Sequence, residues 1–151
     1  MTRTIAFADL PALVGNEVAV SDWFMVGQDR IAAFAEATED RQWIHVDPER
    51  CARESPFKAP VAHGFLTLSL LPAMLQNAMT ISGMRMALNY GLNRVRFPAP
   101  LPAGSRVRGR WTLVAADPIE GGVQLTWNVA IEPEEGGRPV CAAEFLVRAY
   151  G

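Results

Sequence analysis

Two histidines and one aspartate offer the clearest acid–base chemistry in this chain. His45 and His63 are its only histidines, and Asp40 lies five positions before His45 in a polar loop. A carboxylate and an imidazole held together can take a proton from a water molecule and return it, because an imidazole titrates near neutrality. Asp40 and His45 are therefore candidate acid–base residues. The alternative is that Asp40 caps a turn and His45 makes a structural hydrogen bond.

Gly64 follows His63 directly and begins a long uncharged segment. A glycine that opens a helix offers an unpaired backbone N–H at the positive end of the helix dipole, which suits a developing oxyanion. It also lets a ligand approach the backbone closely, although tight helix–sheet packing would equally explain it. His63 could serve as a second base, but its position favours a structural role at the start of the helix.

The remaining chemistry-bearing residues point to no metal and no cofactor. The two histidines are 18 residues apart and, together with Cys51, match no zinc-ligand spacing. Asn89 lies in a segment of strand composition, where asparagine is disfavoured. We expect Asn89 either to line a pocket or orient the active-site loop, or to be exposed at a sheet edge.

Composition predicts one globular domain over residues 1–151. Half of the residues are hydrophobic and a fifth are charged, and the net charge is −2. This balance does not favour a nucleic-acid partner. Two cysteines, Cys51 and Cys141, are too few for a disulfide framework, and the N-terminus lacks a signal-peptide pattern. A cytoplasmic location is expected.

The apolar segment after Gly64 predicts a buried helix ending at about Met79. It is apolar nearly all round, so we expect burial on most of its sides. Pro72 should kink the helix or mark a break. No charged residue occurs from Ala59 to Met84, but prolines, a histidine and amides interrupt the segment, so a membrane span is not predicted.

Strands account for most of the remaining chain. Apolar and polar residues alternate over 105–115, 123–131 and 140–149, which predicts an antiparallel meander with one buried face. In the preceding segment, 84–97, the apolar phase switches near Gly91, which indicates a bulge. Earlier elements are a strand over 17–26, a helix over 28–37 and a short helix from Pro48. An α+β hot-dog fold follows, with a curved antiparallel sheet wrapped around a long central helix.

Three blocks of sequence resemble one known family. ATEDRQWIHVDPERC, AHGFLTLSLLP and LNYGLNRVRFPAP together resemble the MaoC-like (R)-specific enoyl-CoA hydratases, in particular the nodulation protein N-like branch. The resemblance covers nearly the whole chain. It implies hydration of a trans-2-enoyl-CoA to the (R)-3-hydroxyacyl-CoA, or the reverse dehydration, with coenzyme A or acyl carrier protein as carrier. It also implies a homodimer and no cofactor, since coenzyme A is part of the substrate.

The family motif Gly-Asp-x-Asn-Pro-x-His transfers to this chain residue by residue. Asp40 and His45 match the pair that binds and activates water, and Gly64 matches the glycine whose N–H faces the thioester oxygen. Gln42 replaces the asparagine and still offers an amide. Glu39 replaces the glycine beside the aspartate.

Two further positions depart from the family pattern. Trp43 replaces the proline of the motif, and Pro72 aligns loosely with a serine that some relatives carry on the central helix.

A hot-dog thioesterase would often use a carboxylate on the central helix, and residues 64–79 contain none. A non-catalytic acyl-thioester-binding subunit of a dehydratase complex would be expected to lack the Asp40–His45 pair.

Two binding surfaces can also be proposed from the sequence. The acyl chain would enter a pocket lined by residues such as Phe65, Leu66 and Met86. Arg106, Arg108 and Arg110 alternate along one strand and could meet coenzyme A phosphates. A solvated sheet face is the favoured interpretation of these arginines.

Overall fold

A six-stranded antiparallel sheet carries most of the fold in the computed structural model, which describes residues 2–151. The strand order is β2-β6-β7-β8-β5. Strand β3 lies on the same side of β6 as β2 and pairs with an earlier part of β6. The strands are β1 (Arg3–Ala6), β2 (Glu17–Val20), β3 (Phe24–Val26), β4 (Met79–Ser82), β5 (Met86–Arg96), β6 (Ser105–Ile119), β7 (Gly122–Pro133) and β8 (Cys141–Tyr150). The predicted meander is confirmed as β6, β7 and β8.

One face of the meander forms the core, as the alternation predicts. Trp111 and Trp127 are fully buried there, and their rings meet edge to face with centroids 5.8 Å apart. The odd-numbered residues of β8, from Cys141 to Ala149, are buried as well. Packed aromatic pairs of this kind stabilise a core beyond the area they bury.

The helices cover this face and carry the candidate site. They are α1 (Gln28–Thr38), α2 (Trp43–Val46), α3 (Pro48–Glu54), α4 (Gly64–Ser69) and α5 (Leu71–Ala78), and a short 3-10 helix spans Phe7–Leu13. Asp47 caps α3 by accepting a hydrogen bond from the Arg50 N–H. No helix in residues 2–151 is both long and apolar enough to span a membrane.

The central helix is divided at Leu70 into α4 and α5. Pro72 lies in the first turn of α5, where its missing N–H leaves no helical hydrogen bond unmade, so the predicted break is confirmed. The prediction that this helix is buried on most sides is confirmed, since most of the residues in 64–79 are buried or half-buried. One of its faces is open in the chain, because the following residues are exposed: Phe65, Ser69, Ala73 and Gln76.

The chain leaves α5 directly into a strand. β4 pairs in parallel with β1, with Arg3 opposite Met79. Sequence analysis does not identify this two-stranded sheet, because neither segment shows a strong alternation and each finds its partner far away along the chain.

Two register shifts in β5, at Asn89–Gly91 and Leu92–Arg94, confirm the predicted bulge. Each shift reverses which side chains face the core, and the two shifts together restore the original phase. Ala87 and Asn89 pair with the inward residues of β8, whereas Met86 and Leu88 lie on the outer face. Met86 therefore does not line an inner pocket, contrary to the prediction.

Candidate active site

The acidic residue lies in the turn between α1 and α2. Helix α1 ends at Thr38, and Glu39 adopts a left-handed conformation with φ = 62°. Asp40 follows in the exposed loop, and its carboxylate accepts a hydrogen bond of 3.4 Å from the Gln42 backbone N–H. Gln42 thus contacts Asp40 through its main chain rather than through its side-chain amide.

His45 is held by a backbone carbonyl. It is 7% exposed, and its Nδ1 lies 2.6 Å from the carbonyl oxygen of Val61. A carbonyl oxygen only accepts hydrogen bonds, so Nδ1 must carry the proton and Nε2 keeps its lone pair. The Gln28 side chain donates to the His45 carbonyl at 2.8 Å, which ties α2 to α1. His45 is therefore in the tautomer that a general base requires.

His63 lies directly against His45. The two imidazole rings stack with centroids 3.8 Å apart and planes 22° apart. His63 Nε2 donates a hydrogen bond of 2.9 Å to the main-chain oxygen of Asp40, and Phe34 packs on the ring at 4.9 Å. His63 precedes α4 as expected, but its side chain does not cap the helix.

Gly64 is the first residue of α4, and its N–H belongs to the helical turn that has no acceptor within the helix. A Cβ atom at this position would lie 2.8 Å from the Phe97 ring. A cleft of about 200 Å³ joins Gly64 to the other candidate residues, and its lining consists of Asp40, His45, His63, Gly64, Phe65 and Phe97. The structure brings together the predicted acid, histidine and backbone donor.

Asn89 is not part of this cleft. It lines a separate, mostly apolar cavity of about 120 Å³ between α5 and the inner face of the sheet, together with residues that include Pro72, Leu75, Met79 and Val147. This position is explained by the register of β5, which directs Asn89 inward.

Asp40, His45 and His63 also form a group that could ligate a metal ion, since one ligand atom from each lies within 4.8 Å of the others. The lone pair of an imidazole nitrogen points along the plane of its ring. Two rings stacked at 3.8 Å have nearly parallel planes, so their lone pairs do not converge well on one ion. The arrangement suits proton transfer better than tetrahedral metal binding.

The arginine stripe on β6 faces solvent and is largely neutralised. Arg108 pairs with Glu132 at 2.6 Å, and Arg110 pairs with Glu17 at 2.9 Å. Burial raises the pKa of Glu132, but its hydrogen bonds from Arg108 and Arg110 outweigh this and leave its pKa below the usual range. These pairings favour the sheet-face interpretation over a phosphate site.

Neither cysteine has the environment of a nucleophile. Cys51 and Cys141 are free and buried. Burial, followed by the negative charge of Asp47, raises the pKa of the Cys51 thiol, and burial raises the pKa of Cys141 to about 11. Thiolate chemistry is therefore disfavoured at both positions.

Several site residues were missed by sequence analysis. Phe97, Phe34 and Val61 contact the cleft or its histidines from other elements. A phenylalanine or valine in such segments looks like an ordinary core residue, and no local signal distinguishes it. The histidine pair itself could have been suspected, because the chain has only two.

The chain is similar to several known proteins. A family model described as MaoC like domain matches residues 9–132. The chain is 49% identical to 3-hydroxyacyl-thioester dehydratase Z from Mycobacterium tuberculosis over 142 residues, 93% of each chain. It is 48% identical to nodulation protein N from Rhizobium leguminosarum over 145 residues, 94% of this chain and 89% of the relative.

A solved structure with a similar fold is the (R)-hydratase from A. caviae involved in PHA biosynthesis. It superposes with a TM-score of 0.72 at 25% identity, over 89% of this chain and 94% of that chain. The hot-dog architecture predicted from the sequence is confirmed by this similarity and by the sheet and helices described above.

Proposed function

This chain belongs to the MaoC-like dehydratase family, and from that membership we propose that it interconverts a trans-2-enoyl thioester and the (R)-3-hydroxyacyl thioester by adding or removing water. Asp40 and His45 handle the protons, and the Gly64 N–H stabilises the thioester oxygen. The relative that is named a 3-hydroxyacyl-thioester dehydratase supports this reaction class.

The reaction places three demands on a site. A water molecule must lose a proton as its oxygen attacks C3, a proton must reach C2, and the negative charge on the thioester oxygen must be stabilised. His45 offers the Nε2 lone pair because Val61 binds its Nδ1–H. Asp40 offers a carboxylate in the same cleft, so one water molecule can be held between the two groups.

The third demand falls on Gly64. A backbone N–H at a helix start costs no reorganisation when an enolate oxygen forms beside it. A side chain at this position would meet the Phe97 ring, so the packing at the start of α4 requires a glycine.

The observation that carries the proposal is the meeting of Asp40, His45 and Gly64 in one cleft. They come from a loop, a four-residue helix and the start of another helix. Their convergence supplies one group for each of the three demands of the reaction.

Hydration of crotonyl-CoA, followed as loss of enoyl-thioester absorbance, tests this function. We expect (R)-3-hydroxybutyryl-CoA as the product, and Asp40→Asn and His45→Gln should each lower kcat at least about 10²-fold, as is typical for general acid–base groups. Near-wild-type turnover in either variant would exclude that residue from the mechanism.

The same assay separates the alternative functions. A thioesterase would release free coenzyme A thiol, and a non-catalytic binding subunit would form neither product on crotonyl-CoA or longer enoyl-CoAs. The absence of Asp and Glu from residues 64–79 disfavours the thioesterase. The proposed partners are an acyl-CoA or acyl-carrier-protein thioester and a second copy of this chain.

A further inference from the structure

We propose that His63 is a positioning residue that holds Asp40 and His45 at fixed places relative to Gly64. This proposal rests on the proposed function and deepens it. His63 lines the cleft, and the role that we assign to it is not proton transfer but support: it touches both members of the acid–base pair and immediately precedes the backbone donor.

The first contact restrains Asp40. Asp40 lies in an exposed loop. Its carboxylate accepts a long hydrogen bond of 3.4 Å from the Gln42 backbone N–H. The hydrogen bond of 2.9 Å from His63 Nε2–H to the Asp40 main-chain oxygen is shorter and starts from a buried residue. It therefore limits how far the main chain at Asp40 can move away from the cleft.

The second contact restrains His45. Val61 accepts a hydrogen bond at one edge of the His45 ring, from Nδ1. The His63 ring covers one face of His45 at 3.8 Å and opposes rotation of that ring about its side-chain bonds. Together the two contacts direct Nε2, the proposed base.

His63 can serve as a reference point because it is itself rigid. It is 3% exposed, and Phe34 packs against its ring. Its carbonyl accepts hydrogen bonds from the N–H groups of Leu66 and Thr67, which fixes its main chain to α4. The next residue is Gly64, so His63 contacts or directly precedes each of the three proposed working groups.

Two substitutions separate the hydrogen bond from simple packing. His63→Phe keeps an aromatic ring against His45 but removes the donor to Asp40. His63→Gln places an amide Nε2 where the imidazole Nε2 lies and keeps that donor. We expect His63→Phe to lower kcat by about 10- to 100-fold, as for residues that orient working groups.

We expect His63→Phe to change kcat much more than KM. KM should stay within about threefold, because the phenylalanine ring takes the place of the imidazole in the cleft lining and the loss falls on the transition-state geometry. The kcat of His63→Gln should be at least about fivefold higher than that of His63→Phe, a rescue that a purely structural role would not produce. Melting temperatures verify folding, and His63→Leu replaces the phenylalanine variant if that one does not fold.

Different results would refute the positioning role of His63 and the proposed reaction. A folded His63→Phe protein with wild-type kcat, or a His63→Gln protein no better than His63→Phe, would refute positioning through the hydrogen bond. A wild-type protein inactive on every enoyl thioester would refute the proposed function instead.

Imidazole NMR decides the positioning role without turnover. The chain has only two histidines, so both ring systems can be assigned. We expect a proton on Nδ1 of His45 and on Nε2 of His63. The Asp40 amide signal should shift more in His63→Phe than in His63→Gln, and the reverse order would contradict the proposal.

Discussion

At the residue scale, Gly64 combines two properties that can be separated experimentally. Its N–H is unpaired within α4, and its lack of a side chain avoids the Phe97 ring. His63 before it has φ = −59° and ψ = 136°, a conformation that a following proline permits. Proline is also well accepted at the first position of a helix.

We predict that Gly64→Pro lowers kcat at least about 10²-fold relative to Gly64→Ala, because only the proline removes the proposed oxyanion donor. Both variants add a Cβ that must displace Phe97, so alanine controls for the steric change. Steady-state hydration kinetics on the two proteins provide the measurement. Equal kcat values would show that the Gly64 N–H does not act in the reaction.

At the scale of an element, α1 ends in a backbone conformation that is unfavourable for a residue with a side chain. Glu39 has φ = 62°, a left-handed conformation that costs a residue with a Cβ about 1–2 kcal/mol. The resemblance noted above places glycine at this position in the family motif. The structure explains that preference, since a glycine adopts the left-handed conformation without steric strain.

We predict that Glu39→Gly raises the free energy of unfolding by up to about 1 kcal/mol, after the greater flexibility of unfolded glycine is subtracted. Ala33→Gly, an exposed position inside the same helix, is the matched control and should lower stability by about 1 kcal/mol. Urea unfolding of the three proteins measures both changes. A loss of stability in Glu39→Gly would contradict the strain argument.

At the scale of the whole molecule, β5 leaves an apolar edge open. Within residues 2–151 it pairs only with β8, so its other side presents backbone groups that have no strand partner there. Three apolar side chains on its outer face are about half exposed: Met86, Leu88 and Tyr90. An exposed apolar edge strand of this length is a typical site for pairing with another chain, which supports the proposed homodimer.

We predict that the protein has twice the 16.5 kDa chain mass in solution at micromolar concentration. Leu88→Lys, at a position that is 48% exposed in the isolated chain, should shift it toward the monomer. Val114→Lys, at an apolar position on β6 that is 40% exposed, should leave the mass unchanged. Light scattering distinguishes these results, and a monomeric wild-type protein would exclude the homodimer.

The sequence by itself determined the features that depend on neighbours along the chain. The alternation in β6, β7 and β8 identified the buried face of the sheet, and Pro48 and Pro72 marked a helix start and a helix break. Asp40, His45 and Gly64 could be selected by residue type and motif. Each of these features is visible within a few residues, because side-chain periodicity and capping are local effects.

Only the tertiary structure decided the features that depend on distant partners. Val61 sets the tautomer of His45 across 16 residues, and His63 reaches Asp40 across 23. Strand β4 exists because β1 pairs with it, and the pairing register against β8 places Met86 on the outer face and Asn89 on the inner face. No local pattern encodes such contacts, since they form only when packing brings separate segments within hydrogen-bonding distance.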